Sequence, residues 1–198
     1  MVEDHLGAHR PSKDDQFAQK VLENAIPHYA RGNRGRIAQQ VVRVALDEYT
    51  VAYSDVEFFE HIGNEVYLLH TENKRGKYIL RIHHPISRVF SGSWQEKEVI
   101  ESELQWLTAL RRDTDLVVEE PVPNRKGEYV TSVSMDGIQD SLNCTVLGRP
   151  EGHQIWTGDW RIAPLINTHR ELQASTVGAL MAQLHHHSEG WDLPEGFT

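Results

Sequence analysis

The sequence from Lys77 to His83 reads KYILRIH and indicates a β-strand that ends in a cation. Its β-branched and aromatic side chains favour an extended backbone. Because successive side chains of a strand point to opposite faces, Lys77, Ile79 and Arg81 share one face. The strand therefore predicts that Arg81 projects from the inward face of a sheet, where its charge calls for an acidic partner.

The next apolar segment, EVIESELQWL from Glu98 to Leu107, predicts a helix that carries that partner, Glu103. Ser93 and Glu96 resemble a capping box ahead of it, and the helix is expected to end near Asp113. A strand cation tied to a helix carboxylate is how one large group of phosphoryl-transfer enzymes holds the phosphates of ATP. Two plainer interpretations stay open: Arg81 in a structural salt bridge at the sheet rim, and Glu103 as a solvated helix residue.

Composition excludes several classes of function. The chain has 198 residues, of which 39% are hydrophobic and 25% charged, enough to bury a core. A net charge of -9 disfavours nucleic acid as a partner, because phosphate backbones are bound by clustered Lys and Arg. The single cysteine, Cys144, cannot form an internal disulfide, and neither a signal peptide nor a membrane-spanning apolar run is apparent. These features predict a cytoplasmic protein without a membrane partner.

Hydrophobic periodicity predicts an α+β fold with one antiparallel sheet. The expected strands are Val56–His61, Val66–Thr71, Lys77–His83, Glu128–Ser134 and Leu142–Leu147, with a stiff turn from Pro121 to Gly127. Two helices precede this five-stranded sheet, and the first of them spans Ser12 to Ile26. We predict three parts: a helical extension (1–52), a lobe that contains the sheet (53–148), and a linker with one further helix (149–198).

Other candidate residues have simpler explanations. Cys144 is expected to be a small core residue, since no base can be placed beside it. The adjacent residues His185, His186 and His187 point in different directions on a helix and cannot jointly hold a metal, so surface or packing roles are favoured. The pair His83 and His84 lies at a strand end with its side chains on opposite faces, which also disfavours a metal site.

In order, these segments resemble the amino-terminal half of the aminoglycoside phosphotransferase family, kinase-fold enzymes related to choline and homoserine kinases. The resemblance covers roughly residues 41–198. The matching segments are Tyr78–Ile82, Glu103–Leu107, Pro121–Pro123 with Gly127, the helix end Leu180–His185, and Trp191–Thr198. It implies a kinase-like amino-terminal lobe, followed by a hinge and the first helix of an incomplete carboxy-terminal lobe.

The resemblance implies a nucleotide site and its residues. Arg81 takes the place of the cation that contacts the α and β phosphates of ATP, and Glu103 that of the carboxylate that orients it. Ile79 would cover the adenine, and the turn containing Gly63 and Asn64 would lie over the phosphates. Backbone groups of Thr145, Val146 and Leu147 would face the adenine edge. The implied cofactors are ATP and Mg²⁺, with the Mg²⁺ ligands outside this chain.

Family members also carry a catalytic aspartate in a His-Gly-Asp segment, followed by an asparagine and a further metal-binding aspartate. This sequence has no such segment: the nearest string, Thr157-Gly158-Asp159-Trp160, lacks the preceding histidine and has Pro164 where the asparagine would fall. We therefore assign no catalytic or metal-binding residue. The chain is expected to be an amino-terminal fragment that does not turn over alone.

Two functions are compatible with these features. The first is the ATP-binding lobe of a phosphotransferase that, when complete, phosphorylates a hydroxyl of an aminoglycoside, amino alcohol or similar metabolite bound mostly by the missing lobe. The alternative is a non-catalytic binding or regulatory fragment. The last helix carries an apolar stripe of Val177, Leu180, Met181 and Leu184. If that stripe is bare, it predicts self-association or a need for a separately supplied carboxy-terminal half.

Overall fold

A computed structural model describes residues 33–62, 64–73, 75–83, 95–135, 141–152 and 167–198. The helices are α1 (Asn33–Asp47), α2 (Lys97–Asp113) and α3 (Asn167–Gly190). The strands are β1 (Asp55–Ile62), β2 (Asn64–His70), β3 (Tyr78–His83), β4 (Glu120–Val122), β5 (Thr131–Val133) and β6 (Leu142–Gly148). The helix predicted from Ser12 to Ile26 lies outside the described residues.

The strands form one antiparallel sheet in the order β1-β2-β3-β6-β4, and β5 also pairs with β6. Its first three strands are the predicted meander. The turn between β2 and β3 contains Gly76 at φ 59°, a left-handed conformation that glycine adopts at little cost. The Gly76 amide donates a 2.7 Å hydrogen bond to Nδ1 of His70, which attaches this turn to the end of β2.

Helix α1 covers one face of the sheet. Its buried residues Val41, Val42, Ala45 and Leu46 pack in one cluster with alternate residues of the strands, among them Tyr67, Leu69, Leu80, Ile82, Cys144 and Val146. This alternation is the period-2 pattern of strand side chains. Helix α1 and the sheet thus share one core, and the division of the chain after residue 52 stays a prediction.

Helix α2 packs on the opposite face. Its residues Ile100 and Leu104, each 1% exposed, form a second cluster with Leu68, Ile79, Val130 and Leu147. Alternate residues of a strand point to opposite faces of the sheet, so Ile79 of β3 packs against α2, whereas its neighbour Leu80 packs on the side of α1. Helix α2 ends at Asp113, as predicted. Its N-cap is Glu96, which makes no side-chain capping bond, and Ser93, the other residue of the expected capping box, lies outside the described residues.

The segment predicted as a stiff turn includes a strand, so the sheet has six strands rather than five. Strand β4 pairs its Pro121 with Leu147 of β6 and is the last strand of the sheet path. Proline is tolerated at such an edge because no neighbouring strand needs the N–H that it lacks. The turn itself follows at Asn124, whose amide donates to the carbonyl of Glu128 at 2.7 Å. Strand β5 is shorter than the predicted Glu128–Ser134.

Helix α3 exposes three of the four residues of its predicted apolar stripe. Val177, Leu180 and Met181 are 43%, 42% and 46% exposed, whereas Leu184 is half-buried. After this helix, Trp191 packs edge-on against Phe197 with ring centroids 5.0 Å apart. Within the ranges that the structure describes, no helix combines the length and apolar character required to traverse a bilayer.

Candidate nucleotide-binding site

Arg81 lies in the middle of the sheet, on the face that α2 covers. It is in register with Val66 of β2 on one side and Thr145 of β6 on the other. Its side chain is only 15% exposed. A guanidinium so far removed from water loses its hydration, and contacts with charged partners must offset that cost.

Glu103 supplies the first partner, and the predicted strand-to-helix contact is present. Nη1 of Arg81 donates to Oε1 of Glu103 at 2.9 Å. The position of this carboxylate is set by its helical neighbours, since Ile100 and Leu104 are buried against the sheet. The Glu103 side chain is itself 41% exposed, so the pair lies where the core opens to solvent. Because Arg81 is mostly buried, this is not an ordinary surface salt bridge.

A second carboxylate, Glu119, contacts the same guanidinium and was missed by sequence reasoning. Nη2 of Arg81 donates to Oε2 of Glu119 at 3.4 Å, and the Glu119 side chain is 36% exposed. Glu119 directly precedes β4, so the pairing of β4 with β6 brings it towards the centre of the sheet. The sequence feature that could have indicated Glu119 is the pair Glu119 and Glu120 before Pro121, but such a pair is also typical of a solvated loop.

The Nε–H group of Arg81 is an unused donor. Its Nε is buried and has no hydrogen-bond partner among the described residues. A guanidinium presents its N–H groups in one plane, an arrangement that matches phosphate as well as carboxylate oxygens. The described contacts thus leave Arg81 with spare donor capacity on a largely buried cation.

Ile79 shares the face of Arg81, as the strand periodicity predicted. It is 7% exposed and packs in the cluster between the sheet and α2. Its observed role is therefore core packing, and contact with an adenine stays a prediction. Gly63 lies outside the described residues. Asn64 pairs in register with His83, two residues beyond Arg81 on β3, so the start of β2 lies about 7 Å along the strand from that cation.

The residues of the predicted hinge lie in a strand, and their contact with an adenine edge stays a prediction. Val146 and Leu147 belong to β6 and pair with β3 on one side and β4 on the other, so their backbone groups are committed to the sheet. Thr145 is fully buried, and its Oγ1 lies 3.2 Å from Nε2 of His83. Residues 149–152 follow the strand, and the backbone amide of Arg149 donates to the carbonyl of Lys77 at 3.0 Å.

The histidines of α3 have no common site. His185 and His186 are exposed, whereas the side chain of His187 is 7% exposed. Its Nε2 lies 3.2 Å from Oδ2 of Asp113 at the end of α2, and its ring stacks on Trp191. His187 therefore has the packing role that the sequence favoured.

Cys144 is a core residue, as predicted. It is fully buried, and burial, with a smaller contribution from Glu65, raises the pKa of its thiol from 9.0 to about 12. We expect the native protein at pH 8 to react negligibly with a thiol reagent such as DTNB, because both the thiolate and access are lacking. One equivalent should react after unfolding in urea. Rapid, stoichiometric labelling of the folded protein would contradict this assignment.

Comparisons with known proteins place the fold. No protein-family model matches the sequence, and no curated protein matches it. The structure of a microcompartment-associated aminopropanol kinase matches with a TM-score of 0.57 and 26% identity, over 80% of this chain and 43% of that one. The amicoumacin kinase hAmiN in complex with AMP-PNP, Ca²⁺ and Ami has a TM-score of 0.47 and 25% identity, over 62% of this chain and 34% of that one.

The chain thus spans less than half the length of the aminopropanol kinase. The sequence resemblance, the antiparallel sheet with its packed helix α2, and the similarity to that kinase all agree. This chain has the fold of the amino-terminal half of a kinase of the aminoglycoside phosphotransferase type.

Proposed function

We propose that this chain is the nucleotide-binding lobe of an ATP-dependent small-molecule phosphotransferase. The observation that carries the proposal is the ion pair between Arg81 and Glu103, which places a largely buried cation on the α2 side of the sheet. The likeness to an aminopropanol kinase supports the general class of reaction. The nucleotide, the site residues and the acceptor are our inference.

In this proposal Arg81 binds the α and β phosphates of ATP. Nη2 is the group most open to a phosphate, since Nη1 is held at 2.9 Å by Glu103, Nε is buried, and the contact of Nη2 with Glu119 is longer, at 3.4 Å. Hydrogen bonds between ionised groups are roughly twice as strong as neutral ones, and partial burial strengthens them further. Glu103 has a positioning role: it holds the guanidinium plane in one orientation, so that the N–H groups it does not occupy keep a fixed direction.

Magnesium would neutralise charge on the phosphates when bound. In the described part of the chain, no group of three or more His, Cys, Asp or Glu residues could hold a metal ion. We therefore assign no residue here to a metal and infer only phosphate and nucleoside contacts. We place the binding site of the acceptor, the catalytic base and the metal ligands in the other lobe of a complete enzyme.

We propose an amino alcohol, or a related amine-bearing alcohol, as the acceptor class. The similar structure is that of an aminopropanol kinase, and an amino alcohol is among the acceptors that the sequence resemblance implies. The net charge of -9 is compatible with attraction of a cationic acceptor, although net charge steers association more than it selects substrates.

Nucleotide binding is testable on the chain as it exists. A ligand that binds only the folded state raises its stability, by about 2.7 kcal/mol at a concentration 100 times Kd. For a protein of this size we expect ATP or AMP-PNP to raise Tm by roughly 5 to 10 °C under those conditions. Thermal-shift measurements should include adenosine, which lacks phosphate, and a non-nucleotide polyanion such as citrate. If no nucleoside triphosphate changes Tm at millimolar concentration, the proposal is wrong.

A further inference from the structure

Glu119 is a second carboxylate on Arg81, and its presence is unfavourable for a phosphate site. Its Oε2 lies 3.4 Å from Nη2 of Arg81, whose Nη1 already contacts Glu103 at 2.9 Å. One cation therefore faces two carboxylates, and the three groups together carry a charge of -1. A triphosphate that approaches this cluster meets like charge in partly desolvated surroundings, where Coulomb interactions are stronger than in water.

The two carboxylates differ in how easily they can leave the cation. Glu103 lies within helix α2, and its neighbours Ile100 and Leu104 are 1% exposed. Glu119 lies in the segment between α2 and β4, which is neither helix nor strand, and its side chain is 36% exposed. Its contact with Arg81 is also the longer by 0.5 Å, from 3.4 and 2.9 Å. Glu119 is therefore the partner that an anion would displace.

We propose that Glu119 is an internal competitor for phosphate at Arg81 and so sets the nucleotide affinity of the lobe; this inference rests on the function proposed above. Without nucleotide, Glu119 occupies Nη2 and offsets the cation. A bound phosphate takes over Nη2, and the released carboxylate turns to water, where an exposed glutamate is readily hydrated. The exchange lowers affinity, because the contact with Glu119 must be broken and its negative charge stays nearby.

The test is the charge-removing variant Glu119→Gln. Isothermal titration calorimetry should show about three- to fivefold tighter binding of ATP and of inorganic tripolyphosphate, as expected when a partly exposed competing charge is removed. Adenosine has no phosphate, so its affinity should not change. A thermal melt of the free variant should lie close to that of the wild type, because partly exposed ion pairs contribute little to stability.

Glu120→Gln is the matched control. It makes the same change in charge one residue away, but Glu120 is 63% exposed and pairs with Arg111 at 3.2 Å rather than with Arg81. The affinity of Glu120→Gln for ATP and tripolyphosphate should remain within about twofold of the wild type, since exposed charges are screened by salt.

The outcomes separate this inference from the proposed function. The inference about Glu119 is supported if Glu119→Gln binds phosphate more tightly and Glu120→Gln does not. It is also supported if Glu119→Gln is the one protein tested that binds measurably. If the wild type binds ATP and Glu119→Gln binds equally or more weakly, or both variants tighten alike, Glu119 is not a competitor and the proposed function stands. If neither the wild type nor any variant binds ATP or tripolyphosphate, both proposals fail together.

Discussion

Replacement of Arg81 by alanine should weaken ATP binding by about ten- to a hundredfold and leave the protein folded. Hydrogen bonds to charged groups contribute about 1.5 to 3 kcal/mol, which corresponds to this range of affinity. Folding should be affected much less. The partners Glu103 and Glu119 are 41% and 36% exposed, so water can solvate them once the cation is gone. Calorimetric titration with ATP, beside a thermal melt, measures both effects.

Two further variants make this result interpretable. Arg81→Lys keeps the charge but loses the planar fork, so its ATP affinity should lie between those of the wild type and the alanine variant. Arg112→Ala removes an arginine that is 68% exposed and pairs with Asp113, so this variant should bind ATP like the wild type. Identical binding heats for the wild type and Arg81→Ala would mean that Arg81 is only a structural ion pair. That is the plainer interpretation left open by the sequence.

Replacement of Leu104 by alanine should destabilise the protein by about 2 to 5 kcal/mol. Leu104 is 1% exposed and packs α2 onto the sheet, so its truncation loses apolar burial and leaves a cavity. Urea unfolding followed by circular dichroism measures the change. The matched control is Leu193→Ala: Leu193 is 66% exposed, and the same truncation there should cost less than about 0.5 kcal/mol.

The Leu104 variant also tests how the site is held. Glu103 is the next residue on α2, so a loosened helix should weaken the ion pair with Arg81 and reduce ATP affinity, although Leu104 itself is buried in the core. If the unfolding free energy of Leu104→Ala stays within 1 kcal/mol of the wild type, the helix does not depend on this contact, and the packing described here is incorrect.

Local periodicity was sufficient for much of the fold. The meander from β1 to β3 and the end of α2 at Asp113 follow from alternation, turn residues and helical spacing. Strand β4 was not predicted, because Pro121 argues against a strand unless it is known to lie at an edge. Whether a segment lies at an edge depends on how the whole sheet is ordered.

At the site too, local periodicity predicted some features and the order of the sheet decided others. The sequence by itself determined that Ile79 and Arg81 share a face and that Glu103 lies on the helix that follows, because these relations depend on periods of 2 and 3.6 residues. Only the tertiary structure decided that Glu119 also reaches Arg81, and that Val146 and Leu147 are interior to the sheet. Both depend on the pairing of β4 with β6, a contact between segments distant in the chain. Local patterns cannot specify such pairing, because it is set by which strands bury their apolar faces together.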